Sequence, residues 1–193
     1  MRKIIFALIL LFSFLNSQAQ VVAIIGEGRN AREVKINSGG PSMSPQKNIV
    51  ENTASSPEFS ALLMLLQSAG LIETLTASGP YTLFAPANNA FAKISPSVLT
   101  SLSDDEHKTA LKKTLGFHVV SGRYDQSTLL KMIKDANGTA TLTTLDGLPL
   151  KVTRKGKKII ISDGKKLQAA VQVADIEQSN GMIHVIDKVL MDQ

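Results

Sequence analysis

The 193-residue chain contains no cysteine, no tryptophan, two tyrosines and three histidines. The missing cysteines exclude a disulfide framework, thiolate metal sites, iron-sulfur ligation and a cysteine nucleophile. The histidines, His107, His118 and His184, share neither a helix face nor the spacing of metal ligands. Catalytic signatures are absent too: there is no Gly-x-Ser-x-Gly elbow, no His-Glu-x-x-His helix, no phosphate loop and no Gly-x-Gly-x-x-Gly turn after a strand. No enzyme activity, cofactor or metal is expected.

Long hydrophobic runs are reduced to one. Met1-Arg2-Lys3 precedes the uncharged stretch from Ile4 to Leu15, and Asn16-Ser17-Gln18-Ala19 follows. A charged start, a short apolar centre and small residues at Ser17 and Ala19 make a secretory signal cut after Ala19. The stretch is shorter than the roughly 20 apolar residues a membrane helix needs. Residues 1–19 are expected to leave, placing the mature protein in a periplasmic or extracellular space. Arg2 and Lys3 leave with them, so the net charge falls from +5 to +3. A secreted chain without disulfides holds its fold by burial alone.

Residues 20–47 carry one apolar stretch, Val21 to Ile25, and then Gly, Asn, Ser and Pro without periodicity, which reads as a linker or disordered lead-in. The domain is expected over residues 48–193. Ser56-Pro57-Glu58 opens a helix that places Phe59, Leu62, Leu63 and Leu66 on one face and stops at Gly70. Tyr81 to Ala85 reads as a strand, with a short helix through Phe91. Ser103-Asp104-Asp105-Glu106 is a capping box for a helix carrying Leu111 and Leu115 to Gly116. Asp125 to Ala136 is another helix, stopped by Asn137-Gly138. Strands follow at Thr139–Thr143, Leu148–Thr153, Lys158–Ser162, Leu167–Val171, Val173–Ile176 and Met182–Val189. Helices first and strands later predict an α+β fold, helices packed on a mostly antiparallel sheet.

Three segments carry a family resemblance. Tyr81-Thr82-Leu83-Phe84-Ala85-Pro86-Ala87-Asn88-Asn89-Ala90-Phe91 resembles the first box of the fasciclin domain, a secreted or surface adhesion module. Phe117-His118-Val119-Val120-Ser121-Gly122-Arg123-Tyr124 is similar to its central tyrosine-histidine segment. Ser179 to Leu190, with Gly181, His184 and Val185, is similar to its C-terminal box. The resemblance spans nearly the whole domain and implies a β-sandwich or wedge with helices. It implies structural roles for Phe84, Pro86, Phe91, Gly181, His184 and Val185, and a proposed adhesive role for the segment around His118 and Tyr124. It also points to Asp175-Ile176, since some animal members use an Asp-Ile pair at this place for integrin recognition. Two residues depart from the pattern. Ala87 lacks the usual Thr hydroxyl, which costs about 1 kcal/mol unless Asn88 caps the helix instead. Phe117 replaces the usual Tyr.

On the residues alone, Leu83, Phe84 and Phe91 are core, His118 and His184 are buried hydrogen-bonded histidines, and Asp175 is a turn carboxylate. The charge is local. Residues 48–193 carry a net of +1, yet Lys151, Arg154, Lys155, Lys157, Lys158, Lys165 and Lys166 stand against Asp163 alone between Lys151 and Lys166. The centre of this stretch reads as a hairpin tip. The lysines either guard exposed or edge strands against edge-to-edge aggregation or contact an acidic polysaccharide, lipopolysaccharide or acidic protein surface. Nucleic acid fits poorly, because no aromatics interleave the patch. Asn137-Gly138-Thr139 matches a short glycosylation sequon that arises easily by chance. The reading is a non-catalytic adhesion or matrix-interaction module. The competing reading is a surface or periplasmic binder of a small molecule, lipid or glycan, which needs a well-formed pocket.

Overall fold

The structure is a computed structural model and describes residues 43–95 and 108–191. The signal segment, most of the lead-in, His107 and the Ser103–Glu106 capping box lie outside the described residues.

The first described helix, α1 (Ile49–Ser55), has a cap that the apolar pattern does not announce. The Asn48 side chain accepts the Glu51 N–H at 2.9 Å, and Glu51 accepts the Asn48 N–H at 2.8 Å. These reciprocal bonds satisfy two donors that a helix start leaves unpaired. Packing begins before Asn48: Met43 is buried, and the Asn52 side chain bonds both the N–H and the C=O of Ser44. The end of the lead-in is thus part of the packed unit.

The expected Ser56–Gly70 helix is a 3₁₀ turn (Pro57–Phe59) followed by α2 (Ser60–Ser68). The tighter first turn shifts the phase. Leu62, Leu65, Leu66 and Ala69 are buried at i, i+3, i+4 and i+7, whereas Leu63 is only half-buried. The order continues α3 (Ile72–Thr76), β1 (Tyr81–Pro86), α4 (Asn88–Phe91), α5 (Lys108–Gly116), β2 (Val119–Ser121) and α6 (Gln126–Asp135). Five strands complete the chain: β3 (Thr139–Thr143), β4 (Pro149–Lys155), β5 (Lys158–Ser162), β6 (Gln168–Gln178) and β7 (Gly181–Ile186). The two segments read as Leu167–Val171 and Val173–Ile176 are one strand, β6, whose pairing with β7 shifts at Val171/Val173 and again at Val173/Ile176.

The seven strands form one sheet in the order β2-β1-β7-β6-β5-β4-β3. The β1–β7 pair is parallel and all the others are antiparallel. A bridge between Val120 and Thr144 curls the far end of the sheet back to β2. The fold is therefore α+β with a sheet bent into a near-barrel.

Alternation along the central strands divides the interior. Leu83 and Ala85 of β1, Val119 of β2, and Ile183 and Val185 of β7 face the core built by α1 to α5. Phe84, Val120 and Ile186 point the other way, into a second core with α6 and the inner faces of β3, β4 and β5. Covered on both sides, β1 and β7 are buried almost throughout, which explains why they read as continuous apolar runs.

Candidate interaction surface

The boxes that carry the resemblance meet in the middle of the molecule. Tyr81 to Pro86 pairs in register with Gly181 to Ile186. A Cβ on Gly181 would lie 1.9 Å from the Tyr81 carbonyl oxygen, so only glycine lets β7 begin this close to β1. Next to it, Asn180 donates to the carbonyls of Leu75 (2.7 Å) and Ala77 (2.9 Å) and accepts the Ile49 N–H. One buried amide thus ties α1 and the end of α3 to the β6–β7 turn. The sequence reading passed over Asn180, though it stands inside the quoted C-terminal box. Phe84 stacks on the His184 ring at 5.5 Å, Phe91 and Val185 are buried in the helical core, and Pro86 closes β1.

Both buried histidines are clips on backbone groups. His118 is fully buried; its Nδ1 donates to the Thr114 carbonyl at 2.7 Å, and its Nε2 accepts the Leu190 N–H at 2.9 Å. This fixes the tautomer and joins the end of α5 to the C-terminal segment. Burial drives its pKa down to about 4, despite the Thr114 bond and the charge of Asp146. His184 donates from Nε2 to the Tyr124 carbonyl (2.7 Å) and accepts the Asp175 N–H on Nδ1 (3.2 Å). Burial lowers its pKa as well, opposed by the Tyr124 bond and by the charges of Asp175 and Asp125. Both imidazoles are neutral parts of the framework.

Several candidate contact residues belong to that framework. His118 and Ile176 are buried and cannot meet a partner surface. Tyr124 is half-buried against the second core, with its N–H bonded to Thr82 and its carbonyl held by His184. Asp175 is exposed, but it sits at the second β6 irregularity with φ +62° and accepts the Gln126 N–H at 2.7 Å. It therefore caps α6 from across the sheet, beside the local cap Asp125, which accepts the Thr128 N–H at 2.7 Å. The Thr128 bonds, opposed by burial and helped by Ser127, lower the Asp125 pKa. Asn88 does not replace the missing hydroxyl at Ala87; it accepts the Ala61 N–H and donates to Pro57 and Ser60, capping α2 instead of α4.

All seven residues of the basic stretch are exposed. Gly156 and Lys157 form the tip of the β4–β5 hairpin, with Gly156 at φ +61°, and Lys155 pairs directly with Lys158. Pleating places Lys151 and Lys155 on the face opposite the buried Leu150 and Val152, and the Lys155 pairing places Lys158 there too. Lys165 and Lys166 lie in the β5–β6 turn at the other end of β5, where Asp163 holds the Lys165 N–H at 2.7 Å. Lys151, pressed against Gly164, belongs to that end. The outer face thus has two cationic ends about 13 Å apart. Arg154 departs from the group. It points to the inner side and lines a shallow groove of about 440 Å³ with Leu130, Lys131, Ile133, Lys134 and Gly138.

The edge-guarding explanation for these lysines does not survive the strand order. Both β4 and β5 are interior strands, and the edge strand β3, Thr-Ala-Thr-Leu-Thr, has no charge at all. Like charges directly opposite, as at Lys155 and Lys158, cost stability. They stand on a face to which β3, β4 and β5 contribute no acidic residue.

Comparison with known proteins fixes the family. The fasciclin domain model matches residues 57–192. The chain belongs to the fasciclin domain family. It is 34% identical to the uncharacterized protein sll1735 of Synechocystis over 75% of this chain and 97% of that protein. Human periostin is 29% identical over 75% of this chain, which matches 16% of periostin. Among solved structures, the FAS1 domain pair of the insect cell adhesion molecule Fasciclin I superposes with a TM-score of 0.69 at 23% identity, over 77% of this chain and 52% of that one. That likeness establishes the FAS1 fold. Among the described residues no helix is long and apolar enough to cross a membrane, and no cluster of His, Asp and Glu could hold a metal.

Proposed function

We propose that this fasciclin domain is a secreted, non-catalytic adhesion module that engages an anionic surface, an acidic polysaccharide or an acidic protein face, through the outer face of β4 and β5. The supporting observation is the row of Lys151, Lys155 and Lys158 on interior strands, where edge protection does not require it, continued by Lys157, Lys165 and Lys166 in the turns at either end of β5. Arg154 contributes from the side, at the groove. Secretion rests on the N-terminal signal pattern. Adhesion is the described role of the Fasciclin I molecule whose domains share this fold. A polymer reaching both cationic ends would gain from several weak contacts at once, a mode suited to an extended surface rather than to an enclosed ligand. The groove beside Arg154 is open and shallow, so Arg154 meets an extended partner there rather than an enclosed ligand.

The test is retention on an anionic glycan column under a salt gradient. Lys155→Glu with Lys157→Glu should elute at lower salt than the parent and be less sensitive to salt. Elution at the parent's position would overturn the proposal.

A further inference from the structure

The outer edge of the sheet has a geometry that the lysine face does not explain. In the β3–β4 ladder the Thr144 N–H donates to the Leu148 carbonyl at 2.9 Å, which sets the alternation of the antiparallel pair. Leu142 and Ala140 bond to β4, while Thr139, Thr141 and Thr143 turn their backbone groups away from it. From Thr143 onward the edge is closed by β2, through the antiparallel Val120–Thr144 bridge, which sets Ser121 beside Thr143, and the Leu145 N–H to Val119 carbonyl bond of 2.8 Å. The Thr139 N–H is taken up by Ala136. That leaves the Thr139 carbonyl and the Thr141 N–H and carbonyl aimed outward, on the side of β3 where no strand pairs with it.

Sheet edges are ordinarily blunted by charge, proline, a bulge or a covering loop. In β3 the exposed side chains are three threonines, the buried ones are Ala140 and Leu142, and its pairing with β4 is regular from Thr139 to Thr143. Threonine has high strand propensity, and nothing in the strand repels an incoming backbone. The surroundings are cationic on both sides. Lys151 is the cross-strand partner of Thr141 on the outer face, and on the other side α6, which packs against β3, carries Lys134 beside Lys131, whose charge is already paired with Asp135. A second copy of this domain would bring the same cations against these; an acidic strand would not.

We propose that the free edge of β3 is a strand-addition site for an extended acidic segment of a partner protein. Resting on the adhesive reading above, it gives that module a second, directional contact. A strand added antiparallel, centred on Thr141, forms two backbone bonds there and donates a third to the Thr139 carbonyl, ending where β2 begins to cover Thr143. Three bonds fix its register. Alternate side chains of the added strand then lie beside the small Thr hydroxyls, over which a carboxylate can lean toward Lys151. Acidic residues at every second position are the sequence such a site selects.

The test uses the mature chain, ¹⁵N-labelled, and the end-capped peptide Asp-Val-Asp-Val-Asp-Val. Titration should shift the Thr141 amide signal and slow its hydrogen exchange. Thr141→Pro removes an outward N–H without breaking a bond to β4 and should weaken binding at least about tenfold, the loss expected from one or two backbone bonds. Should that variant not fold, the same peptide N-methylated at the residues that donate to β3 makes the same test on the parent protein and should bind equally weakly. Lys-Val-Lys-Val-Lys-Val should not bind. An unmoved Thr141 amide, equal binding of the acidic and basic peptides, or full binding of the N-methylated peptide would overturn the proposal. So would a concentration-dependent dimer of the peptide-free protein abolished by Thr141→Pro, which would assign the edge to a second copy. Thr141→Pro leaves every lysine in place, so its retention on the glycan column should match the parent, and failure of strand addition is thereby separated from failure of the charged face.

Discussion

Replacing His118 by phenylalanine isolates what the central histidine contributes. The ring volume is nearly kept, but the Thr114 carbonyl and the Leu190 N–H both lose their partner. The Thr114 carbonyl has no substitute at hand, because the His118 N–H that would close the helix turn goes to Leu115 instead. Two buried, unpaired backbone groups at about 1–3 kcal/mol each give a destabilisation of about 2–6 kcal/mol. The pH dependence provides a second readout. The folded pKa, about 4, lies below the ordinary histidine value of 6.5. The unfolded chain therefore takes up the proton first as pH falls, so stability is complete above pH 6.5 and is lost toward pH 4. The His118 share is about 2 kcal/mol lost by pH 5 and about 3 kcal/mol by pH 4. His184, shifted in the same direction, adds to the slope. Urea unfolding followed by far-UV circular dichroism between pH 5 and 7.5 reads both quantities, and with a denaturant slope of about 2 kcal/mol/M the midpoint of His118→Phe should fall by about 1 M or more at pH 7.5. The variant should also lose part of the acid-dependent decline. A parent whose stability is level between pH 7.5 and 5, or a variant with an unreduced slope, would refute the assignment of His118 as a neutral backbone clip.

Two further substitutions probe the framework. Gly181→Ala drives a Cβ into the Tyr81 carbonyl of the β1–β7 pair and should cost at least about 4 kcal/mol. The melting temperature should drop by roughly 10 °C, and a change within 3 °C would show that β7 can shift to accept the methyl. Asp175→Ala removes the cap on the Gln126 N–H and places alanine at φ +62°, for a loss of about 1–2 kcal/mol. Asp175→Asn keeps an acceptor and tolerates that backbone, so it should recover most of the loss; equal stability of the parent and Asp175→Ala would contradict the capping role.

The architecture was legible where periodicity and local chemistry agreed. The hairpin of β4 and β5, helix α6 from its Asp125 cap, and the edge strand Thr139–Thr143 occupy nearly the expected residues, because alternation and turn glycines are local signals. Helix α1 was hidden, since Ile-Val-Glu-Asn-Thr-Ala-Ser has weak apolar spacing and depends on a capping box and on Asn52 reaching back to Ser44. The unity of β6 was hidden too. Its irregularities at Val171/Val173 and Val173/Ile176 arise from pairing with β7, and no single-strand pattern contains them.

The interaction surface was legible in composition and illegible in placement. A run of seven basic residues with one acid can be counted, but a sequence does not say which strands lie at the sheet edge. Edge protection was the natural explanation of the lysines until the order β6-β5-β4-β3 put them one and two strands inside. The same order transfers the question to β3, whose threonines drew no notice as a sequence because they carry no charge and no ionisable chemistry. An interior strand with opposed lysines and an edge strand with none reverse the usual distribution of charge in a sheet. Guarding against association would call for the opposite arrangement, so the two features together fit a face that admits a partner: the cations set its charge and the open backbone sets its direction.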